Sequence, residues 1–262
     1  MTAPVIPCLI RILFILTALA SASAWAYDRP NRLRLAAIPA NPLNQVGAPL
    51  MEDIYRQLGI TIDVLETPPP REVALYQEGM IDGTLGRVDG FSLQAPQAIR
   101  IPVPLTHIKL VAFSTLEKLP RLAKGLDPPL QIGQLRGIDF GLETSGQVET
   151  TLVNTTEQLM AMLARRRIDV AIASELGGAF YVQSNNYDDV RIVAQPLKMI
   201  PVYHYLHSKH APLVPKVTGI MQRLHDRGYL EDRHNAFRAR LDVDGMTLPL
   251  RQQVSNDDLR MK

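Results

Sequence analysis

The clearest structural signal in the chain lies in residues 32–85, where β-rich and helical segments alternate. In order these segments read RLRLAAI (32–38), VGAPLMEDIYRQL (46–58), TIDVL (61–65), VALYQ (73–77) and IDGTL (81–85). The first segment alternates polar and apolar residues before it becomes apolar, as a strand that enters a core does. The second places Leu50, Ile54 and Leu58 on one helical face. This β-α-β-α-β order predicts a parallel sheet with right-handed crossovers.

A second α/β set follows an extended stretch at residues 101–113, whose Pro102 and Pro104 favour an edge strand or a connector. The further expected elements are strands at 137–142 and 168–173, a helix at 156–164, extended pieces at 190–193 and 202–206, and helical structure over 214–237 with an end at Gly228. The pattern predicts two small α/β lobes joined by crossings near residues 101–113 and 194–206. Ligands of such proteins bind at the carboxyl ends of the strands, in the cleft between lobes.

Composition limits the function classes. The chain has 262 residues, of which 46% are hydrophobic and 21% charged, and its net charge is +2. These values are typical of a globular protein with a core, and a charge so near zero does not provide the electrostatic field of a nucleic-acid-binding protein. A single cysteine, Cys8, excludes an intramolecular disulfide. We expect a monomer that does not bind nucleic acid.

The N-terminal residues have the pattern of a secretory signal peptide. The apolar run LIRILFILTALA (9–20) is short for a membrane span, and small residues follow it at 21–26. We expect cleavage after Ala26, which would remove Cys8 and leave a mature protein in the periplasm. The alternative is an uncleaved membrane anchor.

Four segments carry a resemblance to a known family. They read PREVALYQEGMIDG (70–83), EQL to RIDVAI (157–172), LHSKHAPL (206–213) and DRGYL (226–230). Their order and spacing resemble bacterial periplasmic solute-binding proteins of the type II fold, family 3, the amino-acid-type substrate-binding proteins of ABC transporters. The resemblance implies an α/β fold of two lobes with two hinge crossings, and this chain departs from the family in its shortened second lobe. We expect a signal peptide at 1–26, lobe 1 at 27–108 and 205–241, lobe 2 at 109–204, and a polar C-terminal tail at 242–262.

Two arginines are candidate anchors for an anionic ligand group. Arg87 follows a predicted strand at the edge that faces the cleft, where its guanidinium can hold a carboxylate or a phosphate. A surface salt bridge with Asp89 is the alternative. Arg71 begins a helix, where a cation is electrostatically unfavourable and needs a reason. A pair with Glu66 or Glu72 is the alternative for Arg71.

The opposite wall of the cleft supplies the other candidates. They are Glu143, Thr144 and Ser145 after the first strand of lobe 2, Ser174 and Glu175 after a later strand, and Tyr203 in the return crossing. Family members that bind α-amino acids carry an aspartate for the amino group five residues after the strand-starting Asp, and here that place holds Ser174. Turn formation is the alternative for the residues at 143–145, and strand packing is the alternative for Tyr203.

The remaining chemistry points away from catalysis. His204, His207 and His210 are spaced by three, but strand geometry puts the first two on opposite faces, so we expect no metal site. No nucleophile elbow, zinc-protease, P-loop or Rossmann motif occurs. The resemblance implies a solute-binding protein without a cofactor that serves an ABC importer or a membrane sensor. The alternatives are an interaction module on a degenerate binding fold, and a lyase similar to cyclohexadienyl dehydratase with Glu143 or Glu175 as general acid or base.

Overall fold

The computed structural model describes residues 30–118, 130–136, 148–193 and 196–248. Their strands are β1 (Arg32–Ala37), β2 (Thr61–Glu66), β3 (Gly83–Val88), β4 (Ala98–Thr115), β5 (Leu130–Leu135), β6 (Val148–Val153), β7 (Val170–Ser174), β8 (Val190–Ile192) and β9 (Lys198–His207). Their helices are α1 (Asn44–Arg56), α2 (Pro69–Gln77), α3 (Phe91–Gln94), α4 (Thr156–Ala164), α5 (Glu175–Ser184), a 3-10 helix (Ser208–Leu213), α6 (Val214–Asp226), α7 (Tyr229–Arg240) and α8 (Val243–Met246). None of these helices has the length and apolar character that a bilayer span requires.

The strands form one mixed sheet in the order β2-β1-β3-β9-β4-β7-β5-β6, with β8 paired to β4. At one end, β1 lies parallel to both β2 and β3. At the other end, β5 lies parallel to both β6 and β7. The expected α/β architecture of two lobes is therefore confirmed, and each lobe has its own parallel strands.

Two long strands carry the chain between the lobes. β4 pairs with β9 from Ala98↔His207 to Leu110↔Lys198, and its later residues pair with β7 and β8. The register of β4 against β9 shifts on both sides of Pro104. β9 is the partner of β4 at that point within the described residues, so the missing N–H of proline is tolerated there. The expected connector is therefore part of one continuous strand.

The elements of the first lobe follow the predicted pattern, as does the start of α4. Thr155 precedes that helix, and its side chain accepts a hydrogen bond from the Gln158 N–H at 3.1 Å. This contact satisfies one of the unpaired N–H groups at the helix N-terminus. The predictions missed β5, β6 and α5, and the strand expected at 137–142 lies outside the described residues.

Each lobe has a hydrophobic core on its side of the crossing strands. In the first lobe Tyr76, Phe91 and Tyr205 pack around Ile81. The core of the second lobe contains Phe113, Leu159, Met160, Leu163, Ile168, Leu176, Val182 and Ile192 together with Phe237, Leu241 and Val243. The last three residues come from the C-terminal end of the described chain.

The C-terminal helices run from the first lobe to the second. α6 packs on β4 and α1, α7 packs on α1 and β4, and α8 packs on α5 and β8. A parallel bridge joins Thr247 to Ile192 of β8. The first residues of the expected polar tail therefore form a short helix on the second lobe, with Val243 fully buried.

Candidate functional site

The carboxyl ends of strands from both lobes meet at the crossing. Val88, the last residue of β3, pairs with Val202 of β9, which itself pairs with Thr106 of β4. Ser174, the last residue of β7, pairs with Leu110 of β4. The two strand ends are therefore only four residues apart along β4, and the space beside residues 106–110 is the cleft where an α/β protein binds its ligand.

A small cavity occupies this cleft. Its lining consists of Leu43, residues 106–109 of the crossing, residues 174–176 at the start of α5, and His234 of α7. Its volume is about 10 Å³. A cavity of that size holds about one water molecule. A larger occupant at this position requires the described residues of the two lobes around it to move apart.

Direct contacts hold the closed arrangement. The Tyr181 hydroxyl of α5 donates a hydrogen bond to the carbonyl of Ala40, in the loop after β1, at 2.6 Å. Leu43 and Val46 from the start of α1 pack against the core of the second lobe. The β1–α1 region of the first lobe therefore lies directly against the second lobe.

The polar groups of the cavity include one cation and one neutral imidazole. The Thr106 Oγ1 and His234 Nδ1 atoms lie 2.9 Å apart and form a hydrogen bond. Burial lowers the pKa of His234, and the nearby Lys109 and Arg238 lower it further, against the opposite effect of Glu175 and Glu231. Lys109 is half-buried, and its ammonium forms no ion pair with any residue that the structure describes.

Ser174 and Glu175, two of the predicted binding residues, both line this cavity, and their role in binding stays a prediction. The Ser174 side chain accepts a hydrogen bond from the Gly177 N–H at 3.1 Å and so caps α5. Glu175 is 6% exposed and pairs with Arg238, whose Nε lies 3.2 Å from its Oε2. Arg238 also pairs with Asp244 at 2.7 Å. The carboxylate of Glu175 is therefore held by a helix from the C-terminal end of the chain.

Arg87 lies apart from the cavity, in a buried ion pair with Glu72 of α2. Its Nε donates to Glu72 Oε1 at 3.1 Å, and its Nη2 contacts the other carboxylate oxygen. Burial lowers the pKa of Arg87 to about 10, so it remains charged at neutral pH. The partner is Glu72 rather than Asp89, which pairs with Arg100 at 2.8 Å.

The other predicted residues lie elsewhere. Arg71 is exposed on α2. Tyr203 pairs with Arg87 in the sheet, and the guanidinium of Arg100 stacks on its ring at 4.5 Å. Glu143, Thr144 and Ser145 lie outside the described residues. The structure thus brings Ser174 and Glu175 together and places Arg71, Arg87 and Tyr203 away from that cavity.

Four polar residues of the cavity, Thr106, His107, Lys109 and His234, were not among the predicted ones. Thr106 and Lys109 belong to the crossing that the sequence indicated, and their place in that segment was the available signal. His234 lies in α7, within the region 214–237 that apolar spacing predicted to be helical. Nothing in the local sequence distinguishes it from a surface histidine. Its position depends on the packing of α7 against β4.

The histidines of β9 and the following turn are structural. His204 is fully buried, with Nδ1–H donating to the Thr84 carbonyl at 2.6 Å and Nε2 accepting from the Tyr55 hydroxyl at 2.6 Å. His210 Nε2 lies 2.8 Å from Asp82 Oδ1. Within the described part of the chain, no group of three His, Cys, Asp or Glu residues is arranged to hold a metal ion.

Comparison with known protein sequences finds a distant relative of this chain. No protein-family model matches the chain. An uncharacterized protein of Shewanella oneidensis is 23% identical over 184 residues, which cover 67% of this chain and 69% of that protein.

Two solved structures have similar folds. A histidine kinase sensor domain with similarity to periplasmic binding proteins matches 85% of this chain and 100% of its own, with a TM-score of 0.63 and 16% identity. An amino acid ABC transporter substrate-binding protein of Streptococcus pneumoniae, bound to L-arginine, matches 81% of this chain and 97% of its own, with a TM-score of 0.61 and 15% identity. With its parallel strands in two lobes and its paired crossings, the chain therefore has the type II fold of periplasmic binding proteins.

Proposed function

We propose that the protein is a periplasmic solute-binding protein that captures a small anionic or amino-acid-like solute in the cleft between its lobes. It would present the loaded form to an ABC importer or to a membrane sensor. The observation that carries the proposal is Lys109, a half-buried cation without an ion-pair partner among the described residues, in a cavity at the crossing. A buried cation of this kind favours an occupant that brings a negative charge.

The charges around the cavity support an anion rather than a cation. Lys109 and Arg238 are positive, Glu175 is negative, and the pKa of His234 is lowered so that its imidazole is neutral at pH 7. Glu175 and Asp244 both pair with Arg238, and Lys109 forms no ion pair with any residue that the structure describes. The hydroxyl groups of Thr106 and Ser174 lie in the same cavity and can hydrogen-bond a carboxylate once the lobes separate.

A thermal-shift screen of the purified protein tests the proposal. The panel contains amino acids, dicarboxylates, sugar acids, phosphorylated compounds and polyamines. A solute at 100 times its Kd stabilises the folded state by about 2.7 kcal/mol, which raises the Tm of a chain of this size by about 5–10 °C. We expect the shift with anionic solutes and none with polyamines.

A pair of lysine variants tests the assigned cation. Lys109→Gln should weaken the binding of any solute found in the screen by about tenfold or more, because it removes a hydrogen bond to a charged group. Lys216→Gln changes an exposed lysine of α6 in the same way and should leave the affinity unchanged. Titration calorimetry gives both affinities, and equal values for the two variants would contradict the role of Lys109.

The closed cleft also favours a second candidate, an interaction module on the same fold. The cavity has room for about one water, and Leu43 and Val46 of the first lobe pack against the core of the second. A protein that never opens would show a cooperative melt and no shift with any solute. Turnover of a bound solute would instead support the lyase, with Glu175 as the acid or base beside the cavity.

A further inference from the structure

The last described segment of the chain, residues 229–248, contacts both lobes and the crossing between them. We name this segment the strap. On the first lobe, Tyr229 donates a hydrogen bond to Asp53 at 2.6 Å and Arg240 donates one to Gln45 at 2.9 Å. At the crossing, His234 bonds Thr106. The strap therefore begins on the lobe that contains α1.

Its other contacts lie on the second lobe. Arg238 pairs with Glu175 at the start of α5, and the Leu248 N–H donates to the Ile192 carbonyl at 3.1 Å. Phe237, Leu241 and Val243 are 4% exposed or less and belong to the core of that lobe. One helix, α7, thus holds α1 on one side and α5 on the other.

We propose that the strap is a latch that keeps the cleft closed, so that its release controls entry of a solute. The cavity holds about one water, and a larger molecule can enter only when Leu43 moves away from residues 174–176. Leu43 belongs to the first lobe and residues 174–176 belong to the second, and α7 contacts both lobes. The lobes cannot separate while α7 keeps its contacts with both. Control of solute entry rests on the proposed function, whereas the separation of the lobes can be measured without a solute.

Arg238 is the positioning residue of the latch. Its guanidinium bridges Glu175 and Asp244, and its side chain is 21% exposed. Without it, the buried carboxylate of Glu175 loses its cation, and a buried charge without a partner is unfavourable. Separation of the lobes returns that carboxylate to water, so loss of Arg238 favours the open form.

Distances between spin labels test the latch in the full chain without any solute. In a Cys8→Ser background, labels at Glu52→Cys on α1 and Gln183→Cys on α5 report on the separation of the lobes, since both positions are exposed. Arg238→Gln should raise the ratio of long to short distances about tenfold, the change expected when a charged hydrogen bond is lost. Arg238→Lys should restore most of the short-distance population. Arg223→Gln, at an exposed arginine of α6, is the matched control and should leave the distribution unchanged.

Amide hydrogen exchange separates opening from general loss of stability. In the Arg238→Gln variant, exchange should accelerate in residues 40–46 and 174–181, which cover the cleft, and remain unchanged in β1 and β2. An unchanged distance distribution would overturn the proposal. Faster exchange throughout the chain without a longer distance would also overturn it, because the arginine would then only support the fold.

Discussion

At the scale of single residues, the ion pair between Arg87 and Glu72 is buried, and its loss should affect stability strongly. The Glu72 side chain is completely buried and that of Arg87 is 10% exposed. Removing one partner of a buried pair costs about 3–5 kcal/mol, because the other charge remains without compensation. We expect Arg87→Gln to lower the free energy of unfolding by about that amount, measured by urea denaturation.

Two further variants make this prediction specific. The double variant Glu72→Gln with Arg87→Gln replaces the charges by two amides and should recover part of the loss. Arg71→Gln changes the exposed neighbour on α2 and should alter stability by less than about 0.5 kcal/mol. If Arg87 is instead the anchor of a solute, Arg87→Gln would abolish binding with little change in stability.

His204 should make stability depend on pH. Burial lowers its pKa to about 4, whereas an unfolded histidine has a pKa near 6.5. Between these values the unfolded chain binds a proton that the folded chain does not, so stability falls as the pH falls. Between pH 7 and pH 5 the loss should be about 2 kcal/mol.

The comparison variant for this effect is His204→Gln. Glutamine keeps an acceptor for Tyr55 but does not titrate, so its unfolding free energy should change less between pH 7 and pH 5 than that of the wild type. Asp82 does not interfere, because its lowered pKa places its contribution below about pH 4. Equal pH dependence in both proteins would show that His204 does not titrate in this range.

At the scale of elements, the contact between β3 and β9 depends on a glycine. A Cβ atom at Gly83 would lie 2.5 Å from the Tyr205 carbonyl oxygen on the neighbouring strand. That oxygen is part of the backbone, so the strands would have to separate. We expect Gly83→Ala to reduce stability by about 1–3 kcal/mol, as overpacking does.

The matched control is a helical glycine with free space around it. Gly47 lies in α1, and nothing comes within 4 Å of a Cβ placed there. Gly47→Ala should therefore stabilise the protein by about 0.5–1 kcal/mol through helix propensity. Thermal unfolding of the two variants checks both signs, and a neutral Gly83→Ala would mean that the strands adjust without cost.

Some helices and strands could be predicted from the sequence and others could not. β1, α1, β2 and α4 follow from their periodicity and capping residues, since each pattern is complete within its own segment. β5 was missed because LQIGQL has a glycine and two glutamines among its apolar residues. Gly133 is required there because a Cβ would lie 2.5 Å from the side chains of Leu159 and Ile168. That requirement comes from packing against other elements.

At the scale of the whole molecule, the two lobes share their longest strands. β4 continues from its pairing with β9 into its pairing with β7, and α7 and α8 add residues to the second core. One lobe cannot unfold without breaking strands and helices of the other. We expect a single transition, with a calorimetric enthalpy equal to the van't Hoff enthalpy. Two separate transitions would contradict this coupling.

The α/β class, the two-lobe plan and the two crossings could be predicted from the sequence, because strand and helix periodicities and their order are properties of the local chain. The sequence also placed Ser174 and Glu175 at the cleft, since residues after a parallel strand meet the ligand edge of the sheet. The folded structure was needed to show that Arg87 pairs with Glu72, that His234 and Lys109 line the cavity, and that the strap contacts both lobes. These contacts join residues far apart in the chain, so their partners depend on how whole elements pack.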